Sequence, residues 1–294
     1  MSEGVQCPVC ESHDPINLFQ VNGHRYVRCI KCKLIFLNRD INSEDAHVVY
    51  RTDAYQQLQT HHSLYFREAI FKRSLDEIEG VQNPGRVLDV GCGDGMFLNL
   101  AEKHGWETYG VEISPTAYEH AKTVLQGTVI RGDLRQGHFP DSFFDVVTVY
   151  NVLDHLHSPL DELLEIYRIL KASGLLVLRV PNAQFHVNLL RILRFLESQL
   201  VFHLYCFTLK TIKHLLEVAG YGQIEIKNSM LTPFDPYSTS PMMGDIGMQV
   251  IKSAVYSIVQ LLFYLSGGSL MVGPSLMIHA VKSQGKHCYG RSES

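Results

Sequence analysis

The sequence of 294 residues has little charge: lysine, arginine, aspartate and glutamate make up 19% of it, and the net charge is −4. It lacks a large basic excess, which argues against a nucleic-acid partner, because such partners are bound through many lysines and arginines. The first ten residues, MSEGVQCPVC, lack the apolar stretch of a secretory signal, so we expect a cytoplasmic protein. The hydrophobic fraction of 46% is still ample for a buried core.

Charge is also absent locally, because residues 253–281 contain no aspartate, glutamate, lysine or arginine. Such a run invites a transmembrane helix, but Gly267, Gly268 and Pro274 interrupt it. Apolar residues recur at helical spacing over 248–265, which favours an amphipathic helix that packs on a second copy of the chain or lies peripherally on the inner face of the membrane.

A second apolar segment, residues 187–206, is mildly basic. We expect it to cover the substrate cavity, with a homodimer contact or a peripheral membrane contact as the alternatives.

The most informative stretch is 86–96, R-V-L-D-V-G-C-G-D-G-M. An apolar run over Val87–Val90 predicts a buried strand, and helical spacing begins at Met96. Between them stand three glycines: Gly91, Gly93 and Gly95. Strand, glycine turn and helix together predict a nucleotide cradle, because glycine turns sharply and lets a ligand approach the backbone. A dinucleotide fingerprint would need glycine at Met96, and no lysine of a phosphate-binding loop follows.

Acidic residues stand near the ends of three predicted strands. Asp89 lies inside the first, where a buried carboxylate needs a partner such as the amino group of a cationic ligand. Glu112 ends the second, about 20 residues after the first glycine, where an acid meets ribose hydroxyls. Asp133 ends the third, and a fourth strand runs into Asn151. Alternating strands and helices predict an α/β fold with a doubly wound parallel sheet and ligands at its carboxyl edge.

The string D-x-G-C-G-x-G resembles motif I of class I S-adenosylmethionine (SAM) methyltransferases, and residues 86–182 resemble that family motif by motif. The resemblance implies a Rossmann-like sheet of seven strands, SAM as cofactor and a small-molecule substrate. It implies that Asp133 accepts a hydrogen bond from the adenine amino group and that the backbone N–H of Leu134 donates one to a ring nitrogen of adenine. It also implies that the methyl donor lies against the methyl acceptor at the loop that begins at Asn151. The predicted cofactor-binding residues are Asp89, Gly91, Cys92, Gly93, Gly95, Glu112, Asp133, Leu134 and Asn151.

Two C-x-x-C pairs precede this region, and their cysteines are Cys7, Cys10, Cys29 and Cys32. The spacing is typical of four-thiolate zinc sites, whereas redox cysteines usually come as one pair within a βαβ unit. Four protein ligands close the coordination shell, so we expect structural Zn²⁺. The sequence thus predicts a zinc-ribbon module at 1–40 and a methyltransferase domain at 41–285, with insertions at about 185–206 and 228–273.

The cysteine pairs and the string H-L-Y-C-F-T at 203–208 resemble a narrower group, the zinc-ribbon methyltransferases of bacterial sugar and polysaccharide pathways. This resemblance implies a sugar, nucleotide sugar or glycan intermediate as acceptor. A hydroxyl acceptor needs a general base, for which histidine suits neutral pH, and His155 and His203 are the candidates. Two rivals remain: an rRNA or tRNA base methyltransferase, disfavoured by the acidic balance, and a catalytically silent binding protein, disfavoured by the intact cofactor motifs.

Overall fold

The structure is a computed structural model, and it describes most of the chain. The described residues are 6–13, 15–21, 24–38, 61–185, 187, 203–229, 254, 257–259, 261–267, 270–271 and 273–283. The predicted domain boundary at residue 40 lies outside them, as do most of the predicted insertions at 185–206 and 228–273.

Strands and helices alternate along the described residues, much as the sequence pattern predicts. The strands are β1 (Ile16–Val21), β2 (His24–Arg28), β3 (Ile35–Leu37), β4 (Arg86–Val90), β5 (Glu107–Glu112), β6 (Thr128–Arg131), β7 (Phe144–Tyr150), β8 (Leu170–Pro181), β9 (Tyr205–Cys206), β10 (Tyr221–Asn228) and β11 (Ser275–Lys282). The helices are α1 (His61–Glu79), α2 (Met96–Lys103), α3 (Pro115–Val124), α4 (Pro159–Ile169) and α5 (Leu209–Val218).

Seven strands form the large sheet, in the order β10-β11-β8-β7-β4-β5-β6. The five strands from β8 to β6 are parallel, and β11 lies antiparallel between β8 and β10. Residues 175–180 of β8 are all buried, as parallel strands covered by helices on both faces require. The α/β prediction of a Rossmann-like, seven-stranded sheet is therefore confirmed.

The sequence also predicts a helix over Pro159–Lys171, which the glycine at Gly174 would follow. This C-terminal boundary is wrong, because the helix ends at Ile169 and β8 already begins at Leu170. Leu170 is fully buried and pairs with Phe144 at the start of β7. The carbonyl of Ile169 accepts from the backbone N–H of Phe143. Pairing with β7 thus replaces the last helical turn, because it buries Leu170 and satisfies the backbone at once.

The N-terminal strands belong to a second sheet, which is antiparallel throughout and ordered β1-β2-β3-β9. The apolar residues between the cysteine pairs predict a small hairpin, and β1 and β2 form it. Strand β9 comes from far along the chain, with Ile35 opposite Cys206 and Phe36 opposite Tyr205. The buried residues of this sheet form one continuous cluster with those of the large sheet.

Helical residues also occur at 257–259 and 261–265, within the charge-free run. Five of their large hydrophobic side chains are exposed: Ile258, Leu261, Leu262, Tyr264 and Leu265. Among the described residues, we find no helix of the length and apolarity needed to span a bilayer. The predicted contact of 248–265 with a partner copy or a membrane surface stays a prediction.

Candidate active site

The glycine turn after β4 lies at the carboxyl edge of the parallel strands, as predicted. Gly91, Gly93 and Gly95 have φ values of 72°, 56° and 81°, a region in which glycine carries no steric cost. A Cβ at Gly91 would lie 2.4 Å from Cγ2 of Val152, and one at Gly95 would lie 2.9 Å from Cδ1 of Leu125. The turn is therefore packed closely against the loop that follows β7.

Glu112 joins this turn to the end of β5. Its Oε2 accepts from the backbone N–H of Gly93 at 2.8 Å, and its Oε1 accepts from that of Ser114 at 2.7 Å. Burial raises the pKa of Glu112, although these backbone donors act in the opposite direction. Cys92 is buried, and its Sγ lies 2.7 Å from the position of a Cβ added at Gly110, so this side chain packs against β5.

The turn gathers three acidic side chains. Asp89 is enclosed inside β4 and accepts from the Thr148 hydroxyl at 2.7 Å, and burial raises the pKa of its carboxyl to about 8. Asp94 forms a two-pronged ion pair with Arg67 of α1, at 3.1 and 2.9 Å. Glu112 is the third carboxylate, so three acids share this place with one arginine. A cationic ligand fits this set because its positive charge would favour the ionised forms of Asp89 and Glu112, whose pKa values burial raises.

The remaining predicted cofactor residues lie after β6 and β7, at the same edge of the sheet. Asp133 is exposed, and its Oδ1 accepts from the backbone N–H of Gln136 at 3.0 Å, while the neighbouring Leu134 is buried. Asn151 has a φ of 57°, and its Oδ1 accepts from Arg179 of β8 at 2.6 Å. The fold therefore brings the predicted set together, and the individual cofactor roles stay predictions.

Asp154 and His155, in the loop after β7, meet His203, which precedes β9; Asp154 is buried and both histidines are partly buried. The Oδ2 atom of Asp154 is hydrogen-bonded to Nδ1 of His203 and lies 3.2 Å from Nε2 of His155. Burial alone would raise the pKa of Asp154, but the two histidines outweigh it and hold that pKa at about 2. The sequence indicates both histidines as candidate bases but not Asp154, whose only signal is its place beside His155 in the loop after β7.

The four cysteines of the N-terminal pairs converge, with their sulfur atoms within 4.8 Å of one another. Two Sγ–Sγ distances are 3.5 Å, one between Cys7 and Cys32 and one between Cys10 and Cys29. A tetrahedral Zn–S site with bonds of about 2.3 Å separates its sulfurs by roughly 3.8 Å, so the cluster fits such an ion with a small expansion.

A family model described as a methyltransferase domain matches residues 62–226, more than half of the chain. The chain belongs to the methyltransferase domain family. The glycine turn and its acids lie inside the matched range, so the cradle predicted from the sequence is part of the methyltransferase domain.

Curated relatives of this methyltransferase match over less than half of their own length. The mitochondrial ubiquinone biosynthesis O-methyltransferase of Schizosaccharomyces pombe is 34% identical over 115 residues, covering 36% of this chain and 42% of that protein. The sterol 24-C-methyltransferase of Yarrowia lipolytica is 31% identical over 131 residues, covering 39% and 34%. The ribosomal RNA small subunit methyltransferase C of Alcanivorax borkumensis is 37% identical over 67 residues, covering 20% and 21%. Their names span three kinds of acceptor, so the matches assign none to this chain.

Solved structures share the fold at low identity. A chain of the complex between the Haloferax volcanii Trm112 methyltransferase activator and a methyltransferase aligns with a TM-score of 0.58 at 16% identity, covering 84% of this chain and all of that one. Phosphoethanolamine N-methyltransferase 2 of Haemonchus contortus, in complex with SAM, aligns with a TM-score of 0.54 at 17% identity, covering 85% and 62%. Both confirm the architecture.

Proposed function

We propose that this methyltransferase transfers the methyl group of SAM to a hydroxyl of a small molecule, and that the acceptor is a sugar, nucleotide sugar or glycan intermediate. The observation that carries the choice of a hydroxyl is the group formed by Asp154 and His155, on the loop after β7, with His203, which precedes β9. A methyl group of Val152, two residues before Asp154, packs on Gly91 of the cofactor turn. The acid–base group therefore stands beside the place where the cofactor is expected.

Asp89 and Glu112 lie on the adjacent strands β4 and β5, and their carboxylates favour a cationic ligand over a neutral one. When bound, SAM supplies an activated methyl group on a sulfonium, so the hard chemistry belongs to the cofactor. The remaining task of the chain is to hold the acceptor in line, which contributes up to about 7–11 kcal/mol in the best-oriented cases.

The proton of the acceptor hydroxyl needs a base, and His203 is our first candidate. Its Nδ1 donates to Asp154, which leaves Nε2 to accept a proton and lets the carboxylate stabilise the imidazolium that forms. His155 faces the same Asp154 oxygen and is the second candidate. A positioned base of this kind typically contributes a factor of about 10²–10⁴ in rate.

The acceptor class rests on the H-L-Y-C-F-T string and the two cysteine pairs, which resemble sugar-pathway methyltransferases. We assign structural Zn²⁺ to the cysteines Cys7, Cys10, Cys29 and Cys32, because four thiolates close a tetrahedral shell. The net charge of −4 disfavours RNA as the acceptor.

A screen with methyl-labelled SAM tests this proposal, with nucleotide sugars, lipid-linked glycans and RNA offered as acceptors. We expect label in a sugar-containing acceptor, and a His203→Ala variant that loses at least about 10²-fold in kcat while its Kd for SAM is unchanged. His157→Ala is the matched control, since His157 is an exposed histidine of the same loop. Label in RNA alone would overturn the acceptor class, and equal rates in His203→Ala and the control would overturn the base.

A further inference from the structure

We propose that Asp154, His155 and His203 bind a divalent transition-metal ion, separate from the ion assigned to the cysteines. The inference deepens the proposed function, because the ion would stand at the acceptor side of the same site. It rests on the ligand geometry of three residues that come from two distant segments of the chain.

The three side chains present one donor atom each, and these atoms lie within 4.8 Å of one another. The ring nitrogens Nδ1 of His203 and Nε2 of His155 both face the same carboxylate, and the ring centroids are 4.8 Å apart. Two imidazoles and one carboxylate form the facial ligand set that first-row transition ions such as Fe²⁺ occupy with open positions remaining. The ligand set thus resembles a catalytic metal site, whereas the four-cysteine site is closed.

The buried carboxylate of Asp154 also favours a bound cation. Asp154 is completely buried, and its ion-pair partners among the described residues are the two histidines. A histidine balances the charge of the carboxylate only when it is protonated. The second oxygen of Asp154, Oδ1, is buried and has no hydrogen-bond partner among the described residues. A buried carboxylate with an unpaired oxygen is costly. A divalent ion between Oδ2 and the two ring nitrogens would offset the charge, and a carboxylate that bound it through both oxygens would also use the lone pairs of Oδ1.

Hydrogen bonds to the backbone carbonyls of Asp154 and His203 hold the two ligand segments in place. The N–H of Leu204 donates to the carbonyl of Asp154 at 2.9 Å, which ties the two ligand segments together. The hydroxyl of Tyr26, from β2, donates to the carbonyl of His203 at 2.9 Å. Such outer contacts orient metal ligands and typically change metal affinity by about 10–100-fold when they are removed.

A bound ion would change how the acceptor is activated. With three protein ligands, a position stays open for an acceptor oxygen, and a metal-bound hydroxyl loses its proton more readily than a free one. The two ring nitrogens that face Asp154 would then be ligands. The ion would lower the pKa of the acceptor hydroxyl, and solvent water, instead of a histidine, would take up its proton. Because these nitrogens must be unprotonated to ligate, metal binding should also release protons.

The test uses the full chain with its cysteine site loaded with zinc, and Mn²⁺ as the probe, because Mn²⁺ prefers oxygen and nitrogen ligands to thiolates. Electron paramagnetic resonance follows the free Mn²⁺ signal during titration, and pulsed measurements detect nitrogen coupled to the bound ion. We expect one bound Mn²⁺ per chain with histidine nitrogen coupling. His203→Ala and Asp154→Asn should each weaken binding at least about tenfold, and His157→Ala should bind as the parent does.

Binding of SAM by each variant shows that it is folded. Equal Mn²⁺ affinity in the parent and in His203→Ala, or bound Mn²⁺ without nitrogen coupling, would overturn the inference. Methyl transfer by protein that binds no Mn²⁺ would also overturn it and leave the proposed function standing. Conversely, tight Mn²⁺ binding without labelled product from any acceptor would remove the proposed function and leave the metal site.

Discussion

The cofactor side of the site and the acceptor side are assembled in different ways. The glycine turn, Asp89 and Glu112 come from one continuous strand–helix–strand unit, and adjacent parallel strands place them side by side. The acceptor side joins Asp154 to His203, 49 positions later, and ties His203 to Tyr26, 177 positions earlier. Local chain order builds the first side, whereas long-range contacts between two sheets build the second.

This difference has a functional consequence. The strand–turn–helix unit is built from neighbouring residues of the chain, so the cofactor contacts proposed for it do not depend on the N-terminal sheet. The acceptor side depends on β9 being held against β3, so it can be damaged without damage to the cofactor turn. The following experiments change residues on one side at a time and compare the effects on methyl transfer, SAM binding and stability.

The largest expected effect comes from losing the ion assigned to the cysteines. A Cys32→Ser variant should release zinc and unfold the N-terminal sheet, because structural zinc contributes about 10–16 kcal/mol to the folding of small zinc modules. We expect methyl transfer to be lost and calorimetric SAM binding to persist. Cys206→Ala is the control, since Cys206 lies in β9 outside the metal cluster. Loss of SAM binding in Cys32→Ser alone would show that the two sides are not separable.

Gly91→Ala strikes the cofactor side. Its methyl group would lie 2.4 Å from Val152 at a φ of 72°, so clash and backbone strain together should cost about 2–5 kcal/mol of unfolding free energy. Calorimetry should show that SAM binding is lost, and urea denaturation should show the destabilisation.

Gly105→Ala is the matched control for Gly91→Ala. Gly105 has a φ of 88°, and a Cβ there has no neighbour within 4 Å, so the variant carries the strain without the clash. We expect it to lose about 1–2 kcal/mol of stability and to bind SAM as the parent does. Equal losses in the two glycine variants would mean that the contact with Val152 is unimportant.

The contrast between local and long-range contacts also explains which features of the fold and the site could be predicted from the sequence. Glycine spacing and the strand-ending acid Glu112 are local signals, and the structure places both at one sheet edge. The predicted end of α4 was wrong because Leu170 joins β8, where it pairs with Phe144 of β7, a contact that the local sequence does not reveal. Asp154 escaped notice because its importance arises from His203, and no local pattern links positions so far apart. The predicted boundary at residue 40 lies outside the described residues.

A smaller effect is expected from pH, through Asp89. Burial raises the pKa of this carboxyl to about 8, so the folded chain holds a proton that the unfolded chain has lost above about pH 4. The contribution of Asp89 to stability is therefore greatest below about pH 4 and falls as pH rises toward 8, by about 2 kcal/mol between pH 6 and pH 8. Asp89→Asn should remove that dependence in urea denaturation, because the amide keeps an acceptor for Thr148 and cannot ionise. An unchanged slope would assign the effect to another group.

The smallest expected effect tests whether the N-terminal sheet positions the acceptor side. Tyr26→Phe removes the hydroxyl that donates to the carbonyl of His203, which should cost about 1 kcal/mol of stability. We expect a fall in kcat for methyl transfer with an unchanged Kd for SAM. Tyr167→Phe is the control, since its hydroxyl donates to the carbonyl of Ser283 over the same 2.9 Å, far along the chain from the acceptor loop. If both variants lose the same stability and only Tyr26→Phe loses kcat, the hydrogen bond to His203 serves catalysis. If their rates fall equally, the contact is merely structural, and the acceptor side does not depend on the sheet that carries Tyr26.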